Sequence, residues 1–208
     1  MIKIKRWIYR LLTVVISMTV LIFSLKKQVK EGLGEFLTKS VPPPQTQIDV
    51  LYVLGGTFKS TYYHIKTAAM MNKILPIKKI MVLHTDEKIL PGSYDSTVDK
   101  DQWVLKKLEE NEIHSNDVEF LYTEGKLFGT LSESVAFRKY TNGKEIRSAL
   151  IVTSKHHTRR AGLCFSHLLE QSHIQVYVTG SEHLFDFKQM FIELFKYIVY
   201  RYVLLNFY

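Results

Sequence analysis

From residue 48 onward the chain alternates between short apolar runs and longer stretches with helical periodicity. This alternation limits the fold more than any other feature. The runs are Ile48–Leu54 (IDVLYVL), Lys79–His84 (KIMVLH), Val118–Tyr122, Arg147–Thr153 and Ile174–Thr179. Their length and branched composition suit strands buried on both faces rather than the alternating pattern of a half-exposed strand. Between and after them, helices are expected at 60–75, about 98–111, 131–140, 157–169 and 185–205. Strands separated by helices predict an α/β class fold: a Rossmann-like, doubly wound, parallel five-stranded sheet. Two strand orders are common in this class, and the sequence leaves both open.

The 208 residues carry a formal net charge of +8. Of this, +6 falls on residues 1–40 and +2 on the remainder. A nucleic-acid-binding domain carries its basic stripe on the folded body, so a nucleic-acid partner is not expected. The lone Cys164 cannot form an intrachain disulfide. Its apolar helical neighbours, Leu163 and Phe165, mark it as a core thiol rather than a nucleophile.

The N-terminal segment from Trp7 to Leu25 is apolar with Arg10 as its one charge. As a helix it spans about 30 Å, one hydrocarbon core. A cleaved signal peptide needs small residues before the cut, which Ser24-Leu25-Lys26-Lys27 does not offer. A buried soluble helix would leave lysines at both ends of an apolar rod. A single transmembrane anchor at 7–25 fits best, after a basic tail at 1–6. A membrane-proximal segment and Pro-rich linker at 26–47 follows, within which 26–40 extends as a short helix. The α/β domain occupies 48–208. Lys3, Lys5, Arg6, Arg10 and the free amine slightly outnumber Lys26, Lys27 and Lys30, which places the N-terminus in the cytoplasm and the domain outside.

Ligands of open α/β sheets bind at the C-terminal edge of the strands. The residues that follow each strand are therefore the candidate site. Gly55-Gly56-Thr57 ends the first strand and suits backbone N–H groups facing an anion, or a tight turn. His84-Thr85-Asp86-Glu87 ends the second; its spacing fits no metal-ligand pattern, and no metal is expected. Thr130 and Glu133 open the helix after the third strand, as capping and first-turn residues or as groups aimed into a pocket.

The strongest signal is Thr153-Ser154-Lys155-His156-His157-Thr158-Arg159-Arg160. With a helix starting near His156, His157 and Arg160 stand three apart and share a face. His156 and Arg159 share the neighbouring one, so one pair faces the pocket and the other water. His157 is the candidate acid/base, Arg160 the anion clamp, and Thr153 and Ser154 orient the ligand. The chain has no G-x-G-x-x-G, no P-loop pattern and no G-x-S-x-G. These absences disfavour a dinucleotide oxidoreductase, a P-loop enzyme and an α/β-hydrolase. The final helix is rich in Phe and Tyr. It packs through Met190, Leu194 and Ile198, and its surplus aromatics suit a membrane interface.

Residues 48–205 resemble the SanA/ElyC/YdcF-like family of envelope proteins. The resemblance rests on Val53-Leu54-Gly55-Gly56, Thr130-Leu131-Ser132-Glu133-Ser134, the Val152–Ala161 stretch and Glu193-Leu194-Phe195-Lys196-Tyr197. Thr153, His157, Arg160 and Ala161 match the family's T-x-x-x-H-x-x-R-A pattern. The apolar N-terminal segment is similar to that of the SanA branch. The resemblance implies a Rossmann-like protein of envelope barrier function or envelope polymer metabolism, with no established reaction and no named cofactor. The expected ligand is a phosphorylated or nucleotide-like envelope metabolite held by Gly55, Gly56, Thr57, Thr130, Thr153, Ser154 and Arg160. His157 and Glu133 are the catalytic candidates. A non-catalytic scaffold that recruits envelope-synthesis proteins is the alternative.

Overall fold

The structure, a computed structural model, describes residues 16–17, 25–44, 47–89, 98–124, 129–182 and 185–208. The expected membrane anchor at 7–25 lies outside these residues apart from Ile16, Ser17 and Leu25. Among the described residues no helix is long and apolar enough to cross a membrane.

Five strands form one all-parallel sheet: β1 (Ile48–Val53), β2 (Ile77–Leu83), β5 (Val118–Leu121), β6 (Ser148–Ser154) and β7 (Gln175–Ser181). Their order is β5-β2-β1-β6-β7. The chain thus winds outward from β1 to one edge, returns to the centre, and winds to the other. This is the Rossmann-type order that the sequence left open. With right-handed crossovers, helices on the two halves fall on opposite faces. One face carries α2 (Phe58–Ile74) and α3 (Lys100–Glu109), packed through Ile65, Ala68, Trp103 and Leu108. The other carries α4 (Gly129–Thr141) and α5 (Thr158–Leu169), packed through Phe137, Ala161, Cys164, Phe165 and Leu168. Val50 and Tyr52 alternate with Leu51 and Val53 between the two cores, so β1 is buried on both sides. Burial pushes the Cys164 thiol up to about 12, in keeping with an inert core group.

Several boundaries differ from the sequence reading for local reasons. Val98–Asp99 is not helix; it is β4, paired antiparallel with β3 (Lys88–Ile89). The Asp99 carboxylate accepts from the N–H groups of Asp101 and Gln102, which fixes the start of α3 one residue later. A 3-10 turn, Lys155–His157, precedes α5, so that helix begins at Thr158 rather than His156. The last helix, α6, is Phe187–Tyr202. Asp186 starts it through a capping box with Gln189, and a 3-10 turn at Leu204–Phe207 replaces its expected final turn.

The membrane-proximal segment is a helix, α1, at 25–37. Its Leu33 and Leu37 pack against Met190, with Phe185 and Leu194 alongside. Beyond it, Val41 exchanges both backbone hydrogen bonds with Val178 of the edge strand β7, just before Pro42-Pro43-Pro44. His156 and Arg159 hold this segment in place. The Arg159 guanidinium lies 4.3 Å from the Phe36 ring centroid and donates to the Phe36 carbonyl. His156 Nδ1 lies 3.4 Å from the Thr38 hydroxyl. The second His/Arg pair, expected to face water, faces α1 instead.

Candidate functional site

Parallel strands all deliver their successors to one edge of the sheet. Here the strand order reverses between β1 and β6, and a cleft of about 650 Å³ opens at that edge. Gly55 and Gly56 form its floor after β1. His84, Thr85, Asp86 and Glu87 come from the turn after β2, and Lys100 from the start of α3. Thr130 and Glu133 come from α4, His157 and Arg160 from the β6–α5 junction, and Phe195, Lys196, Val199 and Tyr200 from α6.

His157 and Arg160 converge as their spacing predicts, and their common partner is Glu193 of α6. His157 Nε2 lies 2.7 Å from one Glu193 oxygen. Arg160 Nε donates to the other at 2.5 Å, and Nη2 donates at 3.2 Å to the oxygen that His157 contacts. Arg160 Nη1 donates to the Thr130 hydroxyl at 2.5 Å. Glu193 is 2% exposed and Arg160 5%. Burial raises the Glu193 carboxyl, but the His157 and Arg160 partners outweigh it and hold the group below the ordinary range. Burial lowers the His157 imidazole, and the Glu193 contact only partly offsets this, so the ring favours its neutral form. A neutral ring donating Nε2–H to Glu193 keeps its basic lone pair on Nδ1.

Glu133 lies at the floor, 4% exposed. It accepts from the Tyr52 phenol at 2.6 Å and from the Gly55 N–H at 2.9 Å, both through Oε2. Burial raises its carboxyl above the usual value despite these two bonds and the nearby Arg160 charge. One expectation changes as a result. The Gly55 N–H is occupied by a side chain of the protein and does not await an anion. Glu133 lines the cleft and also braces β1 against α4, a structural role beside the catalytic one expected of it. A Cβ on Gly55 would sit 2.3 Å from Leu83 Cδ2, and one on Gly56 2.4 Å from Ser60 Oγ. A side chain at either position would therefore displace Leu83 or Ser60.

The other expected ligand residues sort by position. Thr57 caps α2 by accepting from the Ser60 N–H and is not on the cleft wall. Thr130 does not cap α4; its hydroxyl accepts from Arg160. Ser154 is 1% exposed and bonds His64 Nε2 at 2.9 Å, while His64 Nδ1 lies 2.9 Å from the Leu54 carbonyl. That imidazole therefore ties β1 to β6 behind the site. Thr153 is fully buried, and its hydroxyl has no hydrogen-bond partner among the described residues. Neither Thr153 nor Ser154 lines the cleft.

Lys100 on the cleft wall escaped the sequence reading, and His84 was weighed there only against a metal site. Lys100, 7% exposed, donates from Nζ to the Gly56 carbonyl at 3.0 Å and to Glu87 at 2.7 Å. It places a cation over the glycine corner. His84 bonds the Asp101 carboxylate through Nδ1 and Asp86 through Nε2 at 3.1 Å. Burial lowers the His84 imidazole, but Asp101 and then Asp86 outweigh it and raise the group above its ordinary value. Asp101 also accepts from the Thr85 N–H, which fixes the carboxylate beneath the ring. The cleft thus holds two histidines, each oriented by a carboxylate and displaced in opposite directions. Among the described residues no cluster of three or more His, Cys, Asp or Glu is arranged to hold a metal ion.

No protein-family model, no curated protein and no solved structure matches this chain.

Proposed function

We propose that the cleft binds a small phosphorylated or nucleotide-like metabolite and carries out proton-coupled chemistry on it. The single supporting observation is that two carboxylate-oriented histidines, His157 and His84, line one cleft with Lys100 at the sheet's switch point. Lys100, beside the corner after β1, takes the anionic group. His157, favouring the neutral ring, accepts a proton from the attacking group. His84, favouring the cation, returns one to the leaving oxygen. Pairs of titratable groups whose environments drive them apart are the usual basis of acid and base roles. Arg160 and Glu193 position His157 rather than touching the ligand.

In the wider setting, the chain is read as a SanA-like, single-pass membrane protein. Its N-terminus is cytoplasmic, its domain lies outside, and it serves envelope barrier function or polymer metabolism. That reading rests on the T-x-x-x-H-x-x-R-A match at Thr153, His157, Arg160 and Ala161 and on the apolar run at 7–25. One observation favours the scaffold alternative: Arg160 and Glu133 are both engaged by partners within the protein. The two are separated by titrating the full chain in detergent with inorganic pyrophosphate and uridine diphosphate by calorimetry. Saturable binding lost in Lys100→Met and weakened in His157→Ala, with unfolding transitions retained, supports the ligand site. Absence of binding to either anion, with intact envelope function in both variants, establishes the scaffold.

A further inference from the structure

Helix α6 is two-sided in an unusual way. Its buried stripe, Met190, Glu193, Tyr197 and Tyr200, carries the site. The opposite stripe is Phe191, Phe195, Ile198 and Tyr202, spaced four, three and four residues apart, so it forms one continuous face. These side chains are 47%, 68%, 45% and 65% exposed. A solvated helix face of this size is normally polar, and an apolar one marks an interaction surface.

The charges around it decide what it meets. On α6 the ionised groups that reach the surface are Lys188, Lys196 and Arg201; Glu193 is inside and paired. At 3.6 residues per turn the lysines flank the stripe on one side and Arg201 on the other. Two copies of this face would set cations against cations. An anionic lipid surface would meet an apolar centre rimmed by positive charge. The neighbouring helix carries Lys26, Lys27 and Lys30 against Glu31 and Glu35. α1 packs on α6, with Lys26 Nζ 5.9 Å from the Phe187 ring centroid, and exposes Leu25 and Val29. Its described part begins at Leu25, the last residue of the apolar run of 7–25. An anchor there delivers the domain to the bilayer with this side first.

We propose that the outer face of α6, with α1 beside it, lies on the anionic membrane surface and orients the domain there. The proposal rests on the membrane-anchor reading of 7–25. Phe195 and Val199 also border the cleft, so the docked surface sets the cleft mouth next to the lipid headgroups.

The test uses the full chain reconstituted in vesicles of phosphatidylethanolamine and phosphatidylglycerol. Nitroxides are attached at Phe191→Cys, Ile198→Cys and, just past the end of α4, Asn142→Cys; native Cys164 is fully buried. The expected result is a several-fold higher ratio of oxygen to nickel-chelate collisions at Phe191→Cys and Ile198→Cys than at Asn142→Cys. Equal nickel access at all three sites overturns the proposal. Shielding of the α6 labels from both reagents, with spin–spin broadening, also overturns it by showing a protein partner. Extraction of the chain by alkaline carbonate counts separately against the anchor. Lipid-exposed labels before that wash still support docking.

Discussion

The phenol of Tyr52 donates to the Glu133 carboxylate at 2.6 Å, at a point where both residues are almost wholly buried. Tyr52 belongs to the central strand and Glu133 to the first turns of α4, so this one bond holds the glycine corner against the helix that walls the cleft. Tyr52→Phe leaves the carboxylate with the Gly55 N–H as its remaining donor. The expected loss is about 1.5–3 kcal/mol of unfolding free energy, read from urea denaturation. An unchanged midpoint would show that the bond does not brace the fold.

Glu133 also shapes the pH dependence of stability. Its folded carboxyl lies above the ordinary value of 4.5, so the folded state binds the proton more tightly than the unfolded state. This contribution is present at low pH and declines as pH rises from 4.5 through the folded value. Glu133→Gln should remove that decline. Comparing urea midpoints of the two proteins from pH 4 to 8, on the order of one measurement per unit, shows whether the slopes differ.

Breaking the Arg160–Glu193 pair should be far more damaging than removing it. Glu193→Gln strands a buried guanidinium and costs about 3–5 kcal/mol. The double variant Arg160→Met with Glu193→Leu should recover most of that stability while still disturbing His157. Thermal unfolding of the two variants provides the comparison. A double variant no more stable than the single would mean that the pair itself, and not the orphaned charge, sustains the fold.

The two cleft histidines should titrate on opposite sides of the ordinary imidazole value of 6.5: His157 below it and His84 above. For His157, the folded state prefers the neutral ring, so its contribution to stability is present above 6.5 and is lost as pH falls toward the folded value. For His84 the sign reverses. Its contribution is present below 6.5 and is lost as pH rises through the folded value. Imidazole proton shifts followed by NMR report both directly. Asp101→Asn should bring His84 down while leaving His157 in place, and movement of both would show that the two pairs are coupled.

Much of the fold was readable in the chain because strands buried on both faces must be apolar throughout. The centres of two strands, Val50–Val53 and Ala149–Val152, are buried on both faces and carry no charged residue, which made their place in a parallel sheet plain. The meeting of His157 with Arg160 was readable for a similar reason, since a spacing of three at a helix start fixes a shared side. Glu193 was not read as part of the site. An acid in a long terminal helix is ordinarily solvated, and nothing local ties it to residues more than thirty positions earlier. Its register was the available clue: it falls between Met190 and Tyr197 on the buried stripe, where a carboxylate needs a partner. Lys100 and Asp101 were missed, and His84 was read only against a metal site, because their roles arise from a turn and a helix start brought together across the sheet edge. Ile198, expected in the core, is exposed because Tyr197 and Tyr200 take the inward positions.

Thr153 offers a sharp test of the family-like pattern. Its hydroxyl is buried without a partner among the described residues, a situation that costs about 1–3 kcal/mol. Thr153→Val keeps the shape and removes the orphan, so stability should hold or rise. Loss of pyrophosphate binding in a variant of unimpaired stability would show that the hydroxyl serves the ligand.

The pairing of Val41 with Val178 bears on how the protein keeps to itself. An outermost strand offers bare amides and carbonyls to any passing chain, which is how sheets recruit one another into aggregates. Here the linker occupies part of that rim, and the three prolines that follow have no N–H with which to prolong a ladder. The same short stretch of chain that leads to the domain also blunts one side of it against uninvited strand addition.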